Sequence, residues 1–250
     1  GGRNSWTALP LGRGVQLISH DANGVAALAK PAGVLSHPNQ SGDEPRSLLQ
    51  ARYDLGREAY EWPHPTDGSL QRLHLLNRLD SATSGVILAA ADESLALGIR
   101  AQFKRKQVRK IYLALVFGRP RQPQQTWRDR LAVEKRGAKI RTSRGGPIPA
   151  ECAMRVEQAG RGQPGLTLLR LEPRTGRSHQ LRVQCAEHGL PIAGDQTYGD
   201  FARNREFAKR AGTKRLFLHS FETSFDYDYQ GKKFRFAAQA ALPPEFTAWL

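Results

Sequence analysis

The apolar residues of this 250-residue chain come in short runs, and this pattern constrains the fold more than any other feature of the sequence. The longest run, GVILAAA over 85–91, is far short of the ~18 residues that a membrane-spanning helix needs. Some runs alternate as strands do, so that Tyr112 and Ala114 share one side of KIYLALVFG. Others have helical spacing, as Leu95 and Ile99 do after Asp92, which can cap a helix. Strands and helices that mix without strict alternation favour an α+β fold.

Local signals predict the other segments. Asn23-Gly24 indicates a hairpin turn between two strands. The segment RSLLQARYD, 46–54, is typical of a short helix, whereas 56–72 is predicted to be a loop because it is rich in Pro and Gly. Residues 119–146 are predicted to form a turn-rich arm, and 198–212 another loop. We expect residues 1–14 to be a flexible N-terminal segment and 15–250 to form one domain.

Positive charge is concentrated in one part of the chain. The formal net charge is +15, and residues 100–144 hold fifteen Lys and Arg against two acids, Asp129 and Glu134. A concentrated basic patch repels itself unless a polyanion relieves it, which favours a footprint for a phosphate backbone. A solvated basic surface is the alternative. A membrane is the weaker polyanion, because no amphipathic aromatic face accompanies the patch, and we expect no membrane contact.

The cysteines and histidines exclude two other classes of protein. Two isolated thiols, Cys152 and Cys185, indicate a reducing compartment and not a disulfide scaffold, so we expect a cytoplasmic protein. The seven histidines are scattered, and no Cys-x-x-Cys or His-x-x-x-His spacing occurs. We therefore expect no metal site.

An acidic residue stands between two apolar runs in LHLLNRLDSATSGVILAA, 73–90. Apolar neighbours would partly desolvate Asp80, and a desolvated carboxylate needs a cationic partner to stay ionised. Arg78, two residues away, would share a face with Asp80 in an extended segment, and Arg182 is a more distant candidate. From spacing alone, a structural Asp–Arg pair and a catalytic carboxylate both remain open.

The segment PRTGRSHQLRV, 173–183, is predicted to turn from a strand into a helix. Gly176 permits a tight turn, and Ser178 can cap the helix. Free N–H groups at a helix start suit a phosphate or a carboxylate. Arg177 and Arg182 are five residues apart and so do not share a helix face. A capped helix with surface arginines is the simpler alternative.

Six motifs, in this order along roughly residues 15–240, resemble those of the RluA-type pseudouridine synthase family. They are AKPAGVLSHP, NRLDSATSGVILAA, KIYLALVFG, EPRTGRSHQLRV, GLPIAGDQTYGD and RLFLHS. The resemblance implies a mostly antiparallel, bent mixed sheet with flanking helices and a central RNA-binding cleft. It also implies the isomerisation of uridine to pseudouridine in rRNA or tRNA, without cofactor or metal.

The resemblance also implies roles for residues. Asp80 would be the catalytic carboxylate, Tyr112 would stack on the target base, and Arg182 would pair with Asp80. Arg78 would take the place of the flipped base in the RNA stack. The further residues expected to bind RNA are Arg136, Lys139, Arg141, Arg177 and His179.

This sequence departs from the family pattern in three places: at Asn77, at Gln184, and in CAEHG, 185–189, which differs in detail from the family's helix. Asn77 stands where the family usually has His, and Gln184 follows QLRV where His is usual. Asn77 leaves open an alternative, an inactive RNA-binding protein that acts as an RNA-folding chaperone. An RNA nuclease would need an acidic cluster or a pair of histidines, and neither is evident. Many relatives carry an S4 domain ahead of the catalytic one, whereas a first strand near Val15 predicts none here, and we expect a monomer.

Overall fold

The computed structural model describes residues 6–105, 108–162 and 165–250. The strands are β1 Gln16–His20, β2 Val25–Lys30, β3 Arg52–Asp54, β4 Ala59–Pro63, β5 Leu70–Leu75, β6 Ser84–Ala90, β7 Val108–Phe117, β8 Gln124–Arg136, β9 Lys139–Arg144, β10 Ile148–Ala159, β11 Leu166–Pro173, β12 Leu218–Tyr229 and β13 Lys232–Gln239. The α-helices are α1 Glu93–Lys104, α2 Gln180–Glu187 and α3 Phe201–Ala211. Short 3-10 helices lie at Trp6–Ala8, Glu44–Arg46 and Pro244–Phe246.

The chain divides into two compact units. The first comprises the described residues up to Val108 together with Ser220–Ala241, and the second comprises Arg109–His219 and Leu242–Leu250. Strands of the first unit follow the order β3-β4-β5-β6-β12, with β2 also on β6, β1 on β2 and β13 on β12. Strands of the second follow the order β7-β11-β10-β8-β9. The registered pairings are antiparallel, and with the three helices they confirm the α+β prediction.

Helix α1 of the first unit forms where its local signals predict it. The Asp92 carboxylate accepts a hydrogen bond from the Leu95 N–H at 3.4 Å, which satisfies one of the free donors at the helix start. Leu95 and Ile99 are buried together with Leu88 of β6 in one apolar cluster. The Asn23-Gly24 hairpin between β1 and β2 is also confirmed.

Two predictions in the first unit are wrong. Residues 46–54 do not form a helix, because their backbone groups bond to distant segments: the Leu48 N–H donates to the Leu35 carbonyl at 2.8 Å, and the Leu48 carbonyl accepts from Gly12 at 2.7 Å. The predicted loop 56–72 contains the hairpin of β4 and β5, in which Tyr60 lies opposite Leu73. Both of those side chains are fully buried, and this burial outweighs the local Pro and Gly signals.

Two predictions in the second unit are wrong as well. The arm 119–146 is an ordered hairpin of β8 and β9, hereafter the basic hairpin, which turns at Gly137 with φ 62°. The predicted loop 198–212 contains helix α3, whose Asp200 cap accepts from the Arg203 N–H at 3.0 Å. Phe207 is buried and anchors that helix.

The N-terminal residues that the structure describes pack on the first unit. The Trp6 ring stacks on His20 with centroids 5.0 Å apart, and Leu11 forms a β-bridge with Leu49. These contacts attach residues 6–14 to the rest of the first unit, and the flexibility of residues 1–14 stays a prediction. Residues 1–5 lie outside the described part of the chain.

Gly85 is the second residue of β6, the core strand that follows the Asp80 loop, and its backbone has φ 126°. A Cβ at this position would overlap the Ser220 carbonyl. We expect Gly85→Ala to lower the free energy of unfolding by roughly 2–4 kcal/mol, since strain and overlap add. Gly33→Ala is the matched control, because its φ is 88° and nothing lies within 4 Å of a Cβ built there. Urea denaturation of both variants measures the difference, and equal losses would contradict the role of the overlap.

Candidate active site

The Asp80 loop is held to a second loop, residues 31–38, by a buried lysine. The ammonium of Lys30 donates to the carbonyls of Val34 at 2.7 Å and Ser81 at 3.1 Å. Its side chain is almost fully buried, so these carbonyls replace the water that the charge has lost. Two of the six motifs, AKPAGVLSHP and NRLDSATSGVILAA, thereby form one surface of the first unit.

Ser36 makes a second link between the same two loops. Its hydroxyl donates to the Leu79 carbonyl at 2.7 Å, and its oxygen accepts from the Leu79 N–H at 2.9 Å. The Thr83 N–H donates to the Asp80 carbonyl at 3.0 Å, which closes the turn. The backbone on both sides of Asp80 is therefore fixed.

The Asp80 residue itself is exposed. The expectation of a carboxylate desolvated by Leu75, Leu76 and Leu79 is wrong. Those three leucines are buried in the first unit, whereas Asp80 stands on the loop after them. Asp80 is thus presented on a rigid loop at the surface.

Asn77 has a structural role in this loop. Its side-chain oxygen accepts a hydrogen bond from the Leu88 N–H of β6 at 2.7 Å. An amide oxygen does this without any change of protonation. The replacement of the usual His at this position is therefore compatible with an intact loop.

Arg78 extends from the same loop and is exposed. Its guanidinium lies 3.4 Å from His37 Nε2 and 4.0 Å from the Glu58 carboxylate. The His37 ring stacks on Tyr53 with centroids 4.4 Å apart. Burial raises the pKa of Tyr53 to about 12, so its phenol stays neutral at ordinary pH. An aromatic stack whose tyrosine is neutral thus lies beside the arginine.

Tyr112 lies in the second unit, on β7, directly opposite Leu171 of β11. The residue is half-buried. Lys110, two residues earlier, shares its face of the strand. Burial lowers the pKa of Lys110.

Arg182 of α2 forms a two-pronged ion pair with Asp195. Its Nη2 lies 2.7 Å from Asp195 Oδ1, and its Nε lies 3.1 Å from Oδ2. The carboxylate side chain is fully buried, and the arginine side chain is 14% exposed. The same Oδ1 accepts from the N–H groups of Thr197 and Tyr198, each at 3.0 Å. The pairing of Arg182 with Asp80 stays a prediction, but Arg182 does not depend on Asp80 to be paired.

Tyr198 connects α2 to the basic hairpin. The guanidinium of Arg182 lies 5.1 Å from the centre of the Tyr198 ring, and that of Arg141 lies 5.3 Å from it. The Tyr198 hydroxyl is 2.6 Å from His179 Nδ1 and accepts from the Thr142 N–H at 3.1 Å. Two guanidinium groups thus lie within cation–π distance of one aromatic ring.

The start of α2 differs from its prediction. His179 precedes the helix with φ 53°, and no side chain caps it, so Ser178 is not the cap. The Ser178 carbonyl instead accepts from the Thr142 hydroxyl at 2.8 Å. Gly176 has no positive φ, and the left-handed residue is His179, which is one of the residue types that tolerate that conformation. Arg177 Nε donates to the Pro149 carbonyl at 2.9 Å.

Gln184, the second departure from the family pattern, is fully buried and bonded. Its amide nitrogen donates to the Asp129 carboxylate at 2.9 Å and to the Ala150 carbonyl at 3.3 Å. Its oxygen accepts from Gln180 at 3.0 Å. An amide supplies both donors and the acceptor that this buried site requires.

The predicted site residues divide between the two units. Arg78 and Asp80 lie in the first, and the remaining residues of the set lie in the second. Arg136, Lys139 and Arg141 are exposed near the end of the basic hairpin. Asp195 and Tyr198 were not predicted, although the motif GLPIAGDQTYGD contains both. An acid and an aromatic residue in a motif loop are the signal that could have drawn attention to them.

Neither a metal cluster nor a membrane-spanning helix occurs in the described residues. In 6–105, 108–162 and 165–250, no group of three or more His, Cys, Asp or Glu is placed to hold a metal ion. No helix in those ranges is long and apolar enough to cross a membrane.

Comparison with known proteins assigns the family. The pattern of the RNA pseudouridylate synthase family matches residues 24–187, which include Asp80, Tyr112 and Arg182. The chain belongs to this family. The resemblance seen in the sequence is confirmed.

Two relatives differ in how much of their length the chain matches. It is 36% identical over 165 residues to "Ribosomal large subunit pseudouridine synthase C" of Haemophilus ducreyi, a match that covers 62% of this chain and 48% of that one. The chain thus spans about half the length of that relative. It is 30% identical over 234 residues to "tRNA pseudouridine synthase C" of Yersinia pestis, covering 90% of this chain and 86% of that one.

Solved structures confirm the fold. "Human RNA Pseudouridylate Synthase Domain Containing 1" superposes with a TM-score of 0.70 at 23% identity, covering 94% of this chain and 86% of that one. "Human RNA Pseudouridylate Synthase Domain Containing 4" gives 0.63 at 23% identity, covering 92% and 89%.

Proposed function

We propose that this protein isomerises uridine to pseudouridine in structured RNA. One observation carries the proposal: a family member presents an exposed carboxylate, Asp80, on a loop whose backbone is fixed by Lys30 and Ser36. An exposed and pre-oriented acid can meet a substrate as large as RNA without paying for rearrangement of the loop.

The reaction requires the N1–C1′ bond of uridine to break and a C5–C1′ bond to form. The hydrogen on C5 leaves as a proton. In this proposal Asp80 acts at the sugar or at the base, by addition to C1′, by addition to C6 or by removal of a sugar proton. Tyr112 stacks on the uracil while it turns. Arg182 balances the charge of Asp80 once RNA is bound.

The target base must leave its helix before it can react, at a cost of a few kcal/mol. Arg78 is suited to offset that cost because its guanidinium is planar, exposed and attached to the same loop as Asp80. We propose that it occupies the space that the base leaves. The chaperone alternative was suggested by Asn77 alone. Because the Asn77 side chain holds the Leu88 N–H in this loop, its presence no longer argues for a loss of activity.

The proposed substrate and partner is RNA, because the relatives are named for large-subunit rRNA and for tRNA. The match to the tRNA enzyme covers most of both chains, so tRNA is the first substrate to offer. We further propose that residues 15–250 act as one catalytic domain and as a monomer. Both cysteines are buried and free, which is compatible with the cytoplasm.

Release of tritium from C5-labelled uridine tests the proposal directly, because C5 loses its hydrogen in the reaction. The substrates are unmodified transcripts of a mixture of tRNAs and of large-subunit rRNA. We expect release from at least one of them. Tight binding to both RNAs with no release from either would favour the chaperone.

The basic hairpin should drive affinity without taking part in the chemistry. Arg136→Gln/Lys139→Gln removes two exposed cations from its end, and we expect the slope of log Kd against log salt to become shallower by about two units. Turnover at saturating RNA should be unchanged. Lys209→Gln/Arg210→Gln on α3 is a control of equal charge, and equal slopes in all three proteins would mean that the hairpin is only a solvated surface. Arg141 is left out of the variant because it also contacts Tyr198.

A further inference from the structure

A groove of about 440 Å³ lies on the second unit, and none of the residues assigned to the site lines it. Its lining includes Arg109 of β7, Gln124 and Thr126 of β8, Arg155 of β10, and Arg170 and Glu172 of β11. It is open and mostly polar, so it suits a hydrophilic ligand rather than an apolar one.

The groove lies on the opposite face of the strands from Tyr112. Tyr112 is opposite Leu171, and Arg170 is the next residue along β11. Because successive side chains of a strand point to opposite faces, Arg170 and Tyr112 face opposite ways. Arg155 is opposite both Arg170 and Gln124, which places all three on the groove side.

The charges in the groove are not balanced. Arg155 and Arg170 are a directly opposed cross-strand pair, and like charges in that position destabilise a sheet. Glu172 is engaged by Arg109, whose Nε lies 2.8 Å from its carboxylate, and this hydrogen bond lowers the pKa of Glu172. Arg155 has a 3.5 Å contact with Glu157 and remains 51% exposed. The three arginines of the lining thus face one carboxylate of the lining, and a bound anion would relieve their repulsion.

The polar surface continues from the groove along β8 of the basic hairpin. Gln124, Thr126, Arg128 and Arg130 occupy alternate positions of β8, and all four are exposed. Trp127 and Leu131, on the other face of the strand, are buried. At ~3.3 Å per residue, these side chains form a polar row about 20 Å long, in which Arg128 is paired with Glu151 at 2.8 Å and Arg130 donates to the Pro147 carbonyl at 3.2 Å. A row of this length fits an extended chain of phosphates and hydroxyls better than a small anion.

We propose that this groove is a second RNA-binding site, which holds the sugar-phosphate backbone of a segment that flanks the modified uridine. Arg155 and Arg170 contact phosphates, and the side chains of Gln124 and Thr126 donate to phosphate or 2′-hydroxyl oxygens. This site rests on the proposed function only in taking RNA as the substrate, and it adds a contact surface on the reverse of the face that carries Tyr112.

The test compares Arg155→Gln/Arg170→Gln with wild type and with Lys232→Gln/Lys233→Gln. The control removes two exposed cations at the turn between β12 and β13. The dissociation constant Kd for end-labelled bulk tRNA is measured by fluorescence anisotropy at KCl concentrations from about 50 to about 200 mM. We expect the slope of log Kd against log salt to be shallower by about two units in the groove variant and unchanged in the control. Without RNA, the melting temperature of the groove variant should equal or exceed that of wild type, because the like-charge pair is gone.

Equal slopes in all three proteins would overturn the proposal, as would a lowered melting temperature in the groove variant, which would make these arginines structural. If the slope became shallower by the same amount in the groove variant and in the control, RNA would be responding to net charge and not to this groove. That result would also overturn the proposal. Tritium release is measured on the same preparations. If wild type releases none while the groove variant still shows the shallower slope, the proposed activity fails and the RNA site stands.

Discussion

Asp80→Asn should lower the release of tritium from C5-labelled RNA by about 10⁴-fold, the upper end of what a single acid–base group contributes. The change preserves the size of the side chain and removes its negative charge and its basicity. Affinity for RNA should stay at the wild-type value or rise slightly, since one repulsion from the phosphates is lost. The assay uses purified protein at saturating bulk tRNA and rRNA, so that binding and turnover are separated.

The melting temperature of Asp80→Asn should not change. Asp80 is exposed, and the ion pair of Arg182 with Asp195 does not involve it. Asp226→Asn, another exposed carboxylate of the first unit, is the matched control and should retain full turnover. A folded Asp80→Asn protein that releases tritium at the wild-type rate would sink the proposed mechanism. A large fall in its melting temperature would instead make Asp80 structural.

Asp195→Asn should lower the free energy of unfolding by about 3–5 kcal/mol, because the guanidinium of Arg182, whose side chain is only 14% exposed, is left without its carboxylate. The loss of stability should be confined to the second unit, because both residues lie in it. Urea denaturation followed by fluorescence measures the change. Turnover, measured well below the transition, should fall as well, since Arg182 loses the contact that orients it.

The control for this prediction is Glu187→Gln, which breaks the surface pair with Arg144 in the same unit. That pair is 2.7 Å long but well exposed on the arginine side, and exposed pairs contribute ~0–1 kcal/mol. The contrast separates the effect of burial from the effect of charge. Equal losses in the two variants would show that Asp195 has no special structural role.

Some elements could be predicted because their causes are local. The Asn23-Gly24 turn and the Asp92 cap act within four residues of the chain, and the alternation of KIYLALVFG is itself the pattern of a strand. Helix α3 could have been found in the same way, since Asp200 and Gly212 are ordinary start and stop signals. The family motifs were equally visible, because they need only residue identity and order.

The helix predicted over 46–54 shows why other elements could not be predicted. Its local composition favours a helix, but its backbone is bonded to residues 12 and 35, which are distant along the chain. The basic hairpin was predicted to be a turn-rich arm for the same reason. Its composition did not reveal that β8 pairs with β10. Propensity is a weak guide wherever long-range pairing decides.

The sequence alone determined the family, the identity of the motif residues and the concentration of positive charge. Only the tertiary structure decided the surroundings of those residues: that Asp80 is exposed, that Lys30 fastens its loop, and that Arg182 is paired with Asp195. The physical reason is that exposure, ion pairing and hydrogen bonding depend on which distant segments the fold brings together.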